Sequence, residues 1–164
     1  MVRQVIQDPN PFLHKKSPPV SKGAFRSGSL KKIIQDMKDT LAAQDGLGLA
    51  APQIGESPCI FVIPDNIAPE VRTPFAPLSF IKPLHPTVFI NPKILYYSKE
   101  KETIDEGCLS IRGVFRPTPR SYEVKIRALD ERGRKFSLKT KGLLARVFQH
   151  ETDHLEGTLF INRF

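Results

Sequence analysis

From Leu30 onward the apolar side chains fall at Leu30, Ile33, Ile34, Met37 and Leu41, the spacing of one helical face. Ser27 or Ser29 offers an N-cap and Gly46 a stop, so the pattern predicts a helix between them. The period then changes. After a glycine-rich stretch over 46–55, short runs rich in β-branched and aromatic residues at 59–63, 87–90 and 94–97 predict strands. Tyr122, Val124, Ile126 and Ala128 alternate with Glu123, Lys125 and Arg127, and Asp130-Glu131-Arg132-Gly133 supplies a turn, which predicts a hairpin over 121–139. Helical spacing returns at 142–156, with Gly157 placed to close the helix. Two segments lack either period. Residues 1–28, rich in proline, serine and lysine, are expected to be extended, and 64–86, interrupted by prolines, reads as an irregular surface loop.

The last helix carries the strongest chemical signal, His150-Glu151-Thr152-Asp153-His154. Residues four apart on a helix are about 40° apart around its axis, so both imidazoles leave from one face. That geometry suits chelation of one divalent metal, with Glu151 beside it as a candidate general base. At 100° per residue, Leu143, Val147, His150 and His154 share a stripe about 60° wide, which puts the histidines on the core-facing side. Leu144, Phe148 and Leu155 adjoin that stripe, whereas Arg146, Gln149 and Asp153 point the other way.

A hydrolytic centre needs three protein ligands and one open position. His14 and His85 are formally available, but each sits in a proline-flanked or basic loop and reads as a surface histidine. Glu156 follows His154 by two residues and faces away from the pair. Cys108, between Gly107 and Leu109, remains as the best third donor, a soft anionic one. Cys59, inside an apolar run, reads as an inert buried thiol.

At 164 residues the chain is expected to form a single domain over 1–164. With two cysteines it has too few for a disulfide framework. No apolar run approaches the roughly 18–20 residues that span a bilayer. The N-terminus lacks the apolar core of a secretory signal, so a cytoplasmic setting is expected, organellar only if a targeting segment has been removed. A net charge of +8 attracts polyanions, but no aromatic-interleaved RNA-binding motif stands out, and sequence-specific nucleic-acid recognition is not expected.

Three motifs together carry a resemblance. Gly46-Leu47-Gly48-Leu49-Ala50-Ala51-Pro52-Gln53, Glu106-Gly107-Cys108-Leu109-Ser110 and Gln149-His150-Glu151-Thr152-Asp153-His154-Leu155 are similar, in order and spacing, to the signatures of the peptide deformylases. The resemblance implies an α+β fold in which antiparallel sheets pack around the C-terminal metal-binding helix. It also implies removal of the formyl group from the N-terminal formyl-methionine of nascent polypeptides, releasing formate. Cys108, His150 and His154 would hold the metal, with Fe²⁺ favoured and Zn²⁺, Ni²⁺ or Co²⁺ accepted by the same donors. Glu151 would move the proton, and the Gln53 amide with the Leu109 N–H would meet the oxyanion. Gly46 and Gly48 would let a peptide backbone approach closely. Leu47, Ile104, Leu143 and Val147 would line a methionine pocket, and Glu106 and Arg120 would pair to brace the cysteine segment.

The sequence departs from that pattern at Arg112, where many members have proline, and in the long 64–86 segment. Members with a C-terminal helix use it to dock on the ribosome. This sequence ends at Phe164, which leaves its basic surface as a weak substitute. The competing readings are another metal-dependent peptidase or amidase, and a binding protein whose metal is a structural staple.

Overall fold

In the computed structural model, which describes residues 1–65, 67 and 87–163, the first helix begins where the apolar period does. Ser27 is the N-cap, its side chain accepting from Leu30 N, and α1 runs Gly28–Ala42. Leu30, Ile34, Met37 and Leu41 are buried, with Ile33 partly so. Residues 1–28 are largely extended, with short 3₁₀ turns at Pro11–His14 and Lys22–Arg26. They are tied down by backbone bonds such as Ile6 N to Gln53 O at 2.8 Å and Asp8 N to Ser110 O at 2.9 Å. Most of the expected 64–86 loop, His85 included, lies outside the described residues.

The strands are β1 (Leu49–Ala50), β2 (Ile60–Val62), β3 (Val88–Tyr97), β4 (Lys101–Cys108), β5 (Ile111–Ser121), β6 (Glu123–Leu129) and β7 (Lys135–Lys141). Five of them form an antiparallel sheet in the order β1-β2-β3-β6-β7, while β4 and β5 pair with each other as a separate ribbon. Alternation on β6 buries Val124, Ile126 and Ala128 and exposes Lys125 and Arg127. The predicted 121–139 hairpin is thus β6–β7, with Asp130 Oδ1 accepting from Arg132 N and Arg134 N across the turn.

Each face of the sheet receives one helix. α1 covers the face carrying Leu49, Ile60, Val62 and Ile90. The second helix, α2 (Gly142–Leu155), covers the other, packing Leu144, Ala145, Phe148 and Leu155 on Phe61, Phe89, Val124 and Ile126. Phe61 and Phe89 stack at 4.6 Å between centroids, and Phe148 sits 4.8 Å from Phe89. Burying each such ring contributes roughly 1.5–3 kcal/mol, which fixes the rotation of α2 about its axis. The architecture is α+β, antiparallel sheets around the C-terminal helix.

Two expectations change. Arg146, Gln149 and Asp153 do point away from the apolar side of α2, but all three are buried rather than solvated. The ribbon lies over them. Arg146 donates to Glu102 O at 2.7 Å and Thr118 O at 2.8 Å, and Gln149 exchanges bonds with the Ser121 backbone at 3.1 and 2.9 Å. The ribbon itself was not foreseen, because β4 and β5 do not alternate and β5 holds Pro117 and Pro119. Those prolines are tolerated because a two-stranded ribbon leaves each strand a free edge.

Candidate metal centre

α2 presents His150 and His154 from consecutive turns, and the end of β4 brings Cys108 to meet them. A register shift in the β4–β5 pairing between Glu106 and Cys108 turns the cysteine out of the ribbon's regular spacing. His154 Nε2 lies 3.2 Å from His150 Nε2 and 3.2 Å from Cys108 Sγ. All three donor atoms fall within 4.8 Å of one another. Zinc-type bond lengths of about 2.0–2.3 Å at a tetrahedral angle put neighbouring donors about 3.3–3.6 Å apart, so the trio fits one small divalent cation. His14, the other described histidine outside the trio, is half-exposed and bonds Asp8 Oδ1 at 2.9 Å. Glu156 turns outward to Lys16.

The charges around the trio are arranged for a cation. His150 Nδ1 meets Glu106 Oε1 at 2.5 Å, which leaves Nε2 directed at Cys108 and His154. Burial opposes a charge on His150, yet bonds to Cys108 and Glu106 and the nearby carboxylates outweigh it and raise its pKa to about 10. The cluster therefore favours an added positive charge at this point. Burial and the His150 charge together hold His154 well below its usual range, so it stays neutral with a lone pair to give.

Glu106 is the hub of the support. Arg120 forks onto it at 3.0 and 2.6 Å, and Arg146 donates to its Oε2 at 3.0 Å. Burial would raise the Glu106 carboxyl, but the hydrogen bonds from His150 and Arg120 hold it well below the usual range. Arg120 is 2% exposed and also reaches Asp153 at 2.5 Å, so α2 and the ribbon share one buried ionic network. Arg146 was not foreseen as part of this site. Its only signal was its phase, one turn before Gln149 and in line with Asp153.

Glu151, 3% exposed, points into the cleft beside the trio, and burial pushes its carboxyl up to about 7. Gly48 makes room for it. A Cβ on Gly48 would stand 2.4 Å from Glu151 Oε1, so the glycine makes room for the chain's own carboxylate as well as for any approaching backbone. Gln53, 1% exposed, is held by its carbonyl, which accepts from Ala50 N at 2.8 Å. Its amide N–H group is thereby aimed at Ser110 Oγ, 3.2 Å, and Cys108 Sγ, 3.6 Å.

These groups surround a cleft of about 380 Å³. Its walls include Gly46, Leu47, Gly48, Gln53, Ile104, Glu106, Cys108, Leu109, Leu143, Val147, His150 and Glu151, while His154 and Arg120 stand behind them. Leu47, Ile104 and Leu143 are each 40% or more exposed, unusual for aliphatic side chains in a folded chain and here an apolar lip on the cleft. Phe115, 70% exposed, joins them; it lies on the ribbon, whose strands give no alternating pattern to find it by.

Known proteins share both sequence and fold. The family described as polypeptide deformylase matches residues 2–164. A peptide deformylase of Pseudothermotoga lettingae is 42% identical over 99% of this chain and 82% of its own length. One from Desulforudis audaxviator is 35% identical over 99% of this chain and 93% of its own. Among solved structures, the peptide deformylase of Thermotoga maritima superposes with a TM-score of 0.83 at 36% identity, covering 100% of this chain and 98% of that one. A class I type b peptide deformylase of Acinetobacter baumannii gives 0.86 at 30% identity, covering 100% and 99%. The chain belongs to the polypeptide deformylase family.

Proposed function

We propose that residues 1–164 act as one catalytic unit that hydrolyses the formyl amide of N-terminal formyl-methionine on newly made polypeptides, releasing formate. The observation that carries this reading is the convergence of Cys108, His150 and His154 beside a buried carboxylate at the floor of an apolar-lipped cleft. Those three side chains would hold one divalent cation. Its chemistry, when bound, is to acidify the attacking water and polarise the formyl carbonyl.

The chain's own residues do the rest. Glu151 takes the proton from water as oxygen attacks the formyl carbon, and returns it to the amine nitrogen as the C–N bond breaks. A carboxyl that burial raises to about 7 suits both directions of that transfer. The Gln53 amide, held by Ala50, and the Leu109 N–H donate to the oxygen that gains charge. Gly46 and Gly48 admit the peptide backbone, and Leu47, Ile104, Leu143 and Val147 receive the methionine side chain. Glu106 orients His150 and is itself fixed by Arg120.

A related structure supports the choice of ligand: the Acinetobacter baumannii enzyme has been solved with Met-Ala-Ser bound. Membership of the family favours Fe²⁺, which would make the thiolate site oxygen-sensitive, with Zn²⁺, Ni²⁺ or Co²⁺ able to occupy the same donors. Among the described residues no helix is long and apolar enough to cross a membrane, consistent with work on nascent chains in a bacterial-type cytoplasm. The test is formate release from formyl-Met-Ala-Ser by anaerobically prepared, Fe²⁺-loaded protein; absence of release sinks the reading. For the donor set, Cys108→Ala should lose most of the bound metal, and retention of one tight equivalent would remove Cys108 from it.

A further inference from the structure

α1 covers only part of its face of the five-stranded sheet. It packs on Leu49, Ile60, Val62 and Ile90 and reaches Leu129 at the β6–β7 turn. Beyond that point most of the described residues of the same face are exposed, and their neighbours are fixed by register. Lys93 on β3 pairs with Arg127 on β6, Tyr96 pairs with Lys125, and Lys125 pairs with Lys139 on β7. Residues directly opposite one another in an antiparallel pair share a face. The side chains between them in sequence, Val124, Ile126 and Leu138, turn to the α2 side.

The result is a basic array across three strands. Lys93, Lys125, Arg127, Lys139 and Lys141 are all exposed, and the acid among them is Glu123, bonded to Lys139 at 2.7 Å and near Lys141 at 3.7 Å. Tyr96 stands in the middle, about half-exposed, with Lys139 Nζ 5.7 Å from its ring centre. Two irregularities in the β3–β6 pairing, between Ile90 and Lys93 and between Ile94 and Tyr96, bring Lys93 and Tyr96 to this face. Without either extra residue the alternation would slip.

We infer that this open sheet face binds the phosphate backbone of structured RNA without sequence preference. Cations two residues apart on a strand repeat at about 6.6–6.8 Å, and on neighbouring strands at about 4.8 Å, a grid that can follow successive phosphates. Tyr96 adds a flat ring and a hydroxyl for a sugar or an unpaired base. An acidic membrane is the poorer match, because an interfacial surface needs a band of apolar side chains to insert, and this array offers a tyrosine in place of one. The sheet itself separates the array from α2, so RNA held there leaves the cleft open.

The experiment is fluorescence anisotropy of a labelled RNA hairpin against the full chain, titrated at several salt concentrations. Wild type should bind with an affinity that falls steeply as salt rises. K93E/K125E/R127E should bind at least about tenfold more weakly at low salt. Its log–log salt slope should be shallower by roughly 2–3, since each phosphate neutralised contributes about 0.7–0.9 to that slope. A control variant, K15E/K31E/R112E, lowers the net charge equally at exposed positions elsewhere and should stay within about threefold of wild type. Equal losses in the two variants would reduce the effect to net charge and overturn the proposal. Binding of wild type to phosphatidylserine vesicles but not to the hairpin would overturn it as well. Formate release is not a readout here, so failure of this proposal and failure of the deformylase reading are separable.

Discussion

The α-helices α1 and α2 are nearly equal in length and opposite in use. α1 buries one apolar stripe with Asp36 and Thr40 beside it, Asp36 held by exposed cations such as Lys32 at 3.0 Å, and gives its remaining positions to water. α2 buries Arg146, Gln149, His150, Glu151, Asp153 and His154 along with Leu144, Phe148 and Leu155. A helix with that many enclosed polar groups is stable only if each finds a partner, and here the β4–β5 ribbon supplies most of them. Arg146 Nε, Glu151 Oε2, Thr152 Oγ1 and His154 Nδ1 are without such a partner among the described residues, and of these Glu151 Oε2 belongs to the carboxylate that lines the cleft. The contrast teaches where the chemistry is. The scaffold helix ties its buried carboxylate to exposed cations, whereas the working helix encloses a carboxylate that lines the cleft.

Replacing that carboxylate should produce the largest effect and the least damage. Glu151→Gln keeps the shape and removes the proton carrier, so formate release should fall by about 10²–10⁴-fold. The melting temperature should hold or rise, since the change removes a buried carboxylate that has an unsatisfied oxygen. A variant that keeps full turnover would mean that the proton moves by another group. Next in size is Arg146→Met. It strips one partner from a network buried on all sides, and cutting a buried ion pair on one side costs about 3–5 kcal/mol. Denaturant unfolding measures that loss. Because Arg120 still holds Glu106 at both oxygens, bound metal should be retained.

Much of α1, α2 and the β6–β7 hairpin was legible because their periods are regular: Leu30 to Leu41 at helical spacing, and Val124 to Ala128 at alternate positions. The partnership of Cys108 with His150 and His154 was legible too, from the shortage of other donors. The ribbon was not. Glu102, Asp105 and Glu106 on β4, with Pro117 and Pro119 on β5, give no alternation, since a free-standing ribbon has little core to face. Arg146 was hidden for the same reason. Helical phase tells which way a side chain points, but not that an unforeseen ribbon will cover it. Gly48 reads in the sequence as room for a substrate backbone, and only the fold shows Glu151 in that space.

On α1 the same kinds of change should separate stability from activity. Met37 is fully buried beneath the sheet, so Met37→Ala should cost about 2–5 kcal/mol in denaturant unfolding while leaving kcat for formyl-Met-Ala-Ser within about twofold. A large loss of kcat in the folded variant would mean that α1 is coupled to the cleft, and the division between scaffold helix and working helix would not hold.

The smallest effect is a matter of pH. Hydrogen bonds from the N-terminal amine and from Lys32 hold the Asp36 carboxyl below its ordinary value of 3.8. A depressed carboxylate stabilises the fold at pH above its unfolded value, and that contribution fades as pH falls through the folded value. Asp36→Asn should therefore melt a few degrees below wild type at pH 6, and the two curves should converge as the pH drops below about 4. Because the cations that hold Asp36 are exposed, Met1 by 78% and Lys32 by 65%, salt of about 1 M should close most of the gap at pH 6 as well. A gap that survives both acid and salt would mean that Asp36 acts by packing, as the enclosed polar groups of α2 do, and α1 would then be less of a plain scaffold than its single apolar stripe implies.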